Sequence, residues 1–341
     1  MFIVATVEKY LLTKDHIKKL ILAGADALRF NFSYRTIEEN LNFISITQQI
    51  IDELHASTKT FIDFPINKPR LGDFELKLFP VNENDELIFK SGAFTFDCHE
   101  YIPVNIPNLG DKLNAGQSIT IGDGEVSIQV IEVIDRESVR VKVQNRGVIQ
   151  YMKTFNISSG VNEAEILNNY SNIIQKIKTI DHHYIAISYF NYEIFKKIVD
   201  IIHQENRNTK IVLKIEREIA KEQIEELFQD KDVNMVLIDR GELGVNMPYY
   251  QTGIYQKNIT EIAKKYKRPI IISTQILEST MNNYIPNRSE IMDLTNNVLE
   301  GIDGIMLCRE TAINQRAAYT LSVAKKIITE AEKLKNSLNE K

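Results

Sequence analysis

Polar and charged side chains close a series of short apolar segments in this sequence of 341 residues. The positions are Arg29, Asn31, Ser33, Asp63, Lys68, Arg70, Lys214, Glu216, Arg240, Glu242, Thr274 and Glu310. Each residue alone is more typical of a helix cap, a surface charge or a structural ion pair. When cations and carboxylates converge from several segments, however, the like charges repel one another and all of them lose hydration. Both costs fall if the groups hold a charged ligand or a metal ion. The set as a whole therefore predicts a site for a charged ligand.

Two of these carboxylates indicate a metal site. Glu216 and Glu242 follow neighbouring apolar segments with few competing ligands. Mg²⁺ keeps several waters and completes its shell with substrate oxygens, so two carboxylates suit Mg²⁺ (or Mn²⁺). The alternative is a carboxylate pair that Lys214 or Arg240 neutralises. Gly241 lies where a segment turns into a helix, so its backbone amide could face an anion at the positive end of that helix.

The elements that must position these residues alternate between strand-like and helix-like patterns. Strands are predicted at about 2–7, 27–32, 59–64, 184–189, 210–216, 233–239, 269–274 and 304–308, and helices begin near Lys14 and Ile37 and cover about 163–180 and 317–335. Eight βα units predict an α/β fold of the (β/α)8 TIM-barrel type, whose active site lies at the carboxyl ends of the strands. A doubly wound open sheet gives the same local pattern and is the alternative.

The alternation of strand-like and helix-like patterns stops at residues 72–156, after the third strand. Short strand-like runs such as S-I-T-I-G and S-V-R-V-K-V-Q alternate there with Gly- and Asn-containing turns. We therefore predict a barrel formed by 1–71 and 157–341 and a small all-β lid domain, 72–156, inserted after strand 3.

Composition limits the class of partner. With 46 acidic and 41 basic residues the net charge is −5, so no global basic field draws the chain to nucleic acid or an anionic membrane. Two cysteines, Cys98 and Cys308, match neither a disulfide framework nor a zinc spacing, which favours a reducing, cytoplasmic location. No apolar run approaches the length of a membrane span. Small molecules or other proteins are the expected partners.

Six sequence runs together resemble one family. They are A-L-R-F-N-F-S (27–33), L-K-I-E (213–216), R-G-E-L-G (240–244), S-T-Q-I-L-E-S (273–279), N-R-S-E (287–290) and M-L-C-R-E-T-A (306–312). In order and spacing they resemble the pyruvate kinase family over nearly the whole chain. The resemblance implies Mg²⁺-dependent phosphoryl transfer between phosphoenolpyruvate, or a similar 2-oxoacid enol phosphate, and ADP/ATP through an enolate. It also implies a homodimer and, because no residues remain after the last helix, a chain without the family's C-terminal regulatory domain.

The resemblance also implies roles for single residues. Arg29 would contact the transferring phosphoryl group and Lys214 would stabilise the phosphoryl or enolate charge, while Glu216 and Glu242 would bind the metal. The amides of Gly241 and Glu242 would bind the substrate carboxylate, with Thr274 near the enol carbon that is protonated. The remaining matched positions are Asn31, Ser33 and Asp63 around a monovalent cation, Arg70 beyond strand 3, and Lys153 in the lid. Glu310, after strand 8, is expected to be catalytic.

Departures from the family pattern concentrate on the nucleotide side. They are Glu8-Lys9 after strand 1, Tyr34, Phe64 and Arg309, and Glu242 replaces the metal-binding aspartate. Lys68 stands where a lysine marks the potassium-independent members of the family, so K⁺ is not expected to be required. Two alternatives to the kinase remain. One is a metal-dependent carbon–carbon lyase or aldolase that uses a pyruvate enolate, and the other is a non-catalytic ligand-binding homologue.

Overall fold

The chain folds into two compact units in a computed structural model that describes residues 1–8, 13–33, 36–64, 69–122, 124–157, 163–180, 182–205 and 208–339. Contacts group Met1–Ile66 with Glu163–Lys341 in one unit and place Asn67–Asn162 in the other. The strands are β1 (Phe2–Thr6), β2 (Ala27–Asn31), β3 (Lys59–Asp63), β4 (Asp73–Phe74), β5 (Leu78–Val81), β6 (Glu86–Ser91), β7 (Phe94–Thr95), β8 (Ile102–Val104), β9 (Ser118–Ile121), β10 (Val126–Val133), β11 (Ser138–Val143), β12 (Gly147–Gln150), β13 (Phe155–Asn156), β14 (Tyr184–Ser188), β15 (Lys210–Ile215), β16 (Val233–Asp239), β17 (Ile270–Ser273) and β18 (Gly304–Leu307).

The helices flank the strands of the first unit. They are α1 (Lys14–Leu22), α2 (Ile37–Glu53), α3 (Glu163–Ile177), α4 (Tyr192–Glu205), α5 (Lys221–Gln229), α6 (Arg240–Asn246), α7 (Thr252–Lys265), α8 (Arg288–Leu299), α9 (Arg309–Ala312) and α10 (Ala317–Asn339). Local sequence fixes several helix starts. Thr36 and Glu39 form a capping box at α2, and Asn287 and Glu290 form another at α8.

Eight parallel strands close into a barrel in the order β1-β18-β17-β16-β15-β14-β3-β2. Because β1 pairs with both β2 and β18, the sheet has no open edge, and the open-sheet alternative is excluded. The predicted (β/α)8 architecture is therefore confirmed. Each predicted barrel strand matches an observed strand to within one residue at either end.

Apolar side chains fill the barrel on both sides of its wall. The interior cluster contains Val4, Ala27, Phe61, Ala186, Val212, Met235, Leu237, Ile271 and Met306. A larger cluster lies between the strands and the helices and includes Phe30, Phe64, Ile187, Leu213 and Ile272. Side chains of a strand alternate between its two faces, so the barrel strands of this protein are apolar on both.

The second unit is all-β with its own core. Its main sheet has six strands in the order β13-β9-β10-β11-β6-β8, and β12-β5 and β4-β7 form two further pairs. Within residues 69–122 and 124–157 the helical structure is one short 3₁₀ turn, Gly110–Lys112. Phe74, Phe89, Ile128, Val141 and Phe155 are among its fully buried side chains.

Two further observations concern the whole described chain. No helix among the described residues is both long and apolar enough to span a lipid bilayer. Cys98 and Cys308 are both free thiols.

Gly304 provides a test of barrel closure, since it faces β1 on one side and β17 on the other. A β-carbon there would lie 2.5 Å from Cγ2 of Ile271 and 2.7 Å from the carbonyl oxygen of Phe2. We expect Gly304→Ala to lower the free energy of unfolding by about 1–3 kcal/mol through overpacking, measured by urea denaturation. The control is Gly253→Ala in α7, where no atom lies within 4 Å of the added carbon. Equal stability of the two variants would contradict this account.

Candidate active site

A layer of polar side chains lies at the carboxyl end of the barrel. Each member follows an apolar interior residue by two positions, so strand alternation turns it inward. The layer consists of Thr6, Arg29, Asp63, Ser188, Lys214, Asp239, Ser273 and Cys308. The sequence pattern thus brings one polar side chain from each of the eight strands to a single end of the barrel, which is where barrel enzymes have their active sites.

Asp63 joins two cations in this layer. Its Oδ2 accepts hydrogen bonds from Nε of Arg29 at 2.8 Å and from Nη2 at 2.7 Å, and its Oδ1 lies 2.9 Å from Nζ of Lys214. Lys214 Nζ also lies 3.1 Å from Oε1 of Glu216. All four side chains are buried, with Asp63 3% and Arg29 9% exposed. Two cations and two carboxylates therefore form one neutral, almost dry network.

Ion pairing within the network favours the charged forms of Asp63, Arg29 and Lys214. Burial alone would raise the pKa of Asp63, but the neighbouring Lys214 and Arg29 hold it below its ordinary value. Burial would lower the pKa values of Arg29 and Lys214, yet Asp63 raises both of them, with help from Glu216 at Lys214. Arg29 and Lys214 therefore stay positively charged near neutral pH, each beside a carboxylate.

Glu216 has a carboxylate oxygen available for a cation. Its Oε2 is buried and has no hydrogen-bond partner among the described residues, an arrangement that is costly unless a ligand or ion satisfies it. Glu242 lies in the first turn of α6, and Asn246 donates from Nδ2 to the carbonyls of both Glu216 (3.0 Å) and Glu242 (2.9 Å). This bridge fixes the start of α6 to the end of β15.

A divalent ion fits this donor set with few protein ligands. Across the described ranges no group of three or more His, Cys, Asp or Glu side chains is arranged to hold a metal. Mg²⁺ commonly binds through one or two carboxylates and completes its shell with water and substrate oxygens. Glu216 offers one buried carboxylate oxygen of this kind, and Glu242 lies in the first turn of α6.

Asp239 was missed by the sequence reasoning, although it lies next to the R-G-E-L-G run. Its Oδ1 accepts from the amide of Gly241 (3.2 Å), the amide of Glu242 (3.4 Å) and Oγ1 of Thr274 (3.1 Å). These are the groups that the resemblance assigns to a substrate carboxylate. The alternation Met235, Leu237, Asp239 along β16 is the signal that could have revealed an inward carboxylate.

Arg240 holds the turn that carries Thr274. Thr274 and Gln275 adopt positive φ values of 74° and 52°, which non-glycine residues rarely do. The Arg240 guanidinium donates to the carbonyls of Ser273, Thr274 and Gln275 and pairs with Asp293 at 2.7 Å. These bonds stabilise an otherwise strained turn.

Glu310 is buried but its carboxylate binds backbone. Oε1 accepts from the amides of Ile276 (2.9 Å) and Leu277 (3.3 Å), and Oε2 accepts from the amide of Cys308 (2.8 Å). It therefore links the turn after β17 to the end of β18. This geometry favours a positioning role over the catalytic role expected from sequence.

Other predicted site residues are distributed more widely. Asn31 accepts from the amide of Ser33 at 2.9 Å in the turn after β2. In the second unit, Arg70 donates to the carbonyl of Met152, and Lys153 pairs with Glu125. Lys9, Tyr34 and Lys68 lie outside the described residues.

Three changed residues of the expected nucleotide side have definite positions. Phe64 is fully buried between strands and helices, with its ring 5.2 Å from that of Tyr170, so this change alters packing rather than an exposed contact surface. Arg309 pairs with Glu278 at 3.0 Å, and Glu8 is partly buried beyond β1.

Burial raises the pKa of the Cys308 thiol to about 12 although Arg29 opposes the shift, so this thiol is protonated at neutral pH.

The closed parallel barrel, with polar and charged side chains at its carboxyl end, has the architecture of the barrel enzymes. The comparison with family models identifies which one, because the model for the barrel domain of pyruvate kinase matches residues 1–320. The chain belongs to the pyruvate kinase family.

Individual relatives support the same assignment. A pyruvate kinase of Thermotoga maritima is 28% identical over 333 residues, which is 97% of this chain and 71% of that protein. A pyruvate kinase of Thermococcus litoralis is 28% identical over 340 residues, covering 98% of this chain and 70% of the relative. The chain thus spans about 70% of the length of these two proteins.

Replacement of Glu310 tests its positioning role. Glu310→Ala leaves three backbone N–H groups without an acceptor, and we expect a loss of about 2–4 kcal/mol in the free energy of unfolding, by analogy with other buried unsatisfied donors. Glu310→Gln retains an oxygen acceptor and should lose less. Urea denaturation measures both variants, with the surface variant Glu330→Ala as the control. A fully stable Glu310→Ala protein would exclude this role.

Proposed function

We propose that this protein catalyses Mg²⁺-dependent phosphoryl transfer between phosphoenolpyruvate, or a similar enol phosphate of a 2-oxoacid, and ADP/ATP. The observation that carries the proposal is the Arg29–Asp63–Lys214–Glu216 network, which supplies permanent positive charge beside carboxylates at the carboxyl end of the barrel. The relatives named pyruvate kinase support the same reaction class.

Lys214 is the residue we assign to the enolate. Transfer of the phosphoryl group leaves an enolate oxygen whose negative charge is largest as the bond to phosphorus breaks. Asp63 and Glu216 hold the ammonium in place at the carboxyl end of the barrel, and its burial reduces the screening of its attraction for that charge. Arg29, which donates from Nη1 to Thr6 at 3.0 Å, is similarly fixed for the phosphoryl oxygens.

Glu216 and Glu242 would hold the Mg²⁺ (or Mn²⁺) ion. A bound divalent ion would polarise the oxygens of the substrate and reduce the cost of negative charge on them. Glu242 has one methylene more than the aspartate of the family motif, so its longer side chain sets the reach from α6. Thr274 and the amides of Gly241 and Glu242 would orient the organic part of the substrate.

The direct test is conversion of phosphoenolpyruvate and ADP to pyruvate and ATP by the purified protein with Mg²⁺. ATP formation is followed with luciferase and pyruvate by proton NMR, so that both products are observed. Formation of both in equal amounts supports the proposal. Absence of both across several nucleoside diphosphates would reject it.

The cytoplasmic location and the homodimer remain predictions.

Lys214→Met should lower kcat by about a thousandfold, because it removes the fixed charge opposite the developing enolate. Binding of Mn²⁺, measured by electron paramagnetic resonance, should change by less than about tenfold because both candidate metal carboxylates remain. The matched control is Lys210→Met, which removes an exposed lysine from the start of the same strand. Circular dichroism checks that both variants fold. Near-normal kcat for Lys214→Met would refute its role.

We also propose that turnover does not require K⁺. The resemblance places Asp63 around a monovalent cation, and here its two oxygens already face Arg29 and Lys214. A third cation would gain little attraction from a carboxylate that is already neutralised. Rates in potassium-free tetramethylammonium buffer should match those with added KCl at equal ionic strength. Strong activation by K⁺ would show that another group binds the ion.

A further inference from the structure

We propose that Asp239 is a specificity-determining residue that occupies the position of a ligand carboxylate oxygen and thereby weakens the binding of carboxylate ligands. This inference rests on the proposed function, because it concerns the same site and its 2-oxoacid substrate. Asp239 would act as an intramolecular competitor of the ligand carboxylate. The ligand carboxylate would bind only when the Asp239 side chain turns away from its hydrogen-bond donors.

Three donors from two strand ends converge on Oδ1 of Asp239. Two are the amides of Gly241 and Glu242 in α6, and the third is the hydroxyl of Thr274 after β17. Gly241 keeps this place open, since a β-carbon there would lie 3.1 Å from both Cγ2 and Oγ1 of Thr274. One oxygen with three donors has the hydrogen-bonding surroundings of a bound oxyanion.

Ser273 gives an independent sign that a ligand belongs here. It pairs in register with Asp239 on the adjacent strand and is 1% exposed. Its Oγ has no hydrogen-bond partner within the described part of the chain. A buried hydroxyl without a partner is costly, and a ligand oxygen beside Asp239 would satisfy it.

A ligand carboxylate meets two obstacles at this place. Its oxygen needs the donors that Asp239 already uses, and the displaced Asp239 would remain close by with the same negative charge. Like charges a few ångströms apart repel strongly where little water separates them. A neutral ligand of the same shape meets only the first obstacle.

An ordinary helix cap explains part of this geometry. An aspartate before a helix commonly accepts from the second and third amides, as Asp239 does at α6. The third bond is different because Thr274 belongs to another strand end, in the positive-φ turn that Arg240 holds. A cap alone predicts that Asn, which also caps helices, can replace Asp without effect on ligand choice.

The experiment compares pyruvate with pyruvamide, its neutral amide, by calorimetric titration in Mg²⁺ buffer. The proteins are wild type, Asp239→Ala, Asp239→Asn and, as a control for net charge, Asp200→Asn on the exposed face of α4. We expect Asp239→Ala to tighten pyruvate relative to pyruvamide by at least tenfold and Asp239→Asn to do so in part. Asp200→Asn should behave as wild type. Asp239→Asn keeps a capping oxygen, so it remains informative if Asp239→Ala is unstable.

Two outcomes overturn the inference. One is an unchanged preference between pyruvate and pyruvamide in both Asp239 variants, including the absence of binding. The other is weaker pyruvate binding in both variants, which would show that Asp239 favours pyruvate binding. The proposed function is judged separately: wild type that transfers phosphoryl groups while the variants keep its preference rejects only the inference. Tighter pyruvate binding in the variants without any phosphoryl transfer in wild type rejects only the proposed function.

Discussion

The contact between Asp63 and the two cations Arg29 and Lys214 is the interaction on which the site depends. Burial disfavours the charged form of both cations, and the Asp63 carboxylate offsets that cost. Their geometry follows from the barrel, because Asp63 ends β3 beside β2 and Arg29 lies inside β2. Lys214 reaches the same carboxylate from β15, which is separated from β3 only by β14. The order β2-β3-β14-β15 of neighbouring strands therefore brings the three charged side chains together.

Much of the fold could be predicted from sequence because two strong periodicities coincide with it. Strand-like runs separated by amphipathic helices gave the eight barrel strands, and the loss of helical periodicity near residue 72 marked the β unit. The convergence of Arg29, Asp63, Lys214 and Glu216 was also predictable, since parallel strands place their carboxyl ends together.

Contacts between distant strand ends were not predictable from local pattern. Glu310 was expected to be catalytic, yet its carboxylate oxygens accept hydrogen bonds from the backbone amides of residues 276, 277 and 308. Asp239, by contrast, resembles an ordinary helix cap in sequence. Only the folded barrel adds a third hydrogen-bond donor, the hydroxyl of Thr274. The resemblance places Phe64 among the changed positions on the nucleotide side, but strand alternation turns its ring towards the helices. For Glu310 and Asp239 the deciding partners include residues that follow β17, and for Phe64 the partner is Tyr170 in α3.

The closure of β1 on β18 has a consequence for how the protein is made. Phe2 pairs with Gly304, so β1 must wait until the much later β18 has been synthesised before its second edge is covered. Contacts of such long sequence separation form slowly, because a long loop must close before they contribute. The β unit, by contrast, pairs strands that are close in sequence, such as β9 with β10 and β10 with β11. During synthesis it can fold while β1 still presents an unpaired edge, and such an edge favours association with other chains.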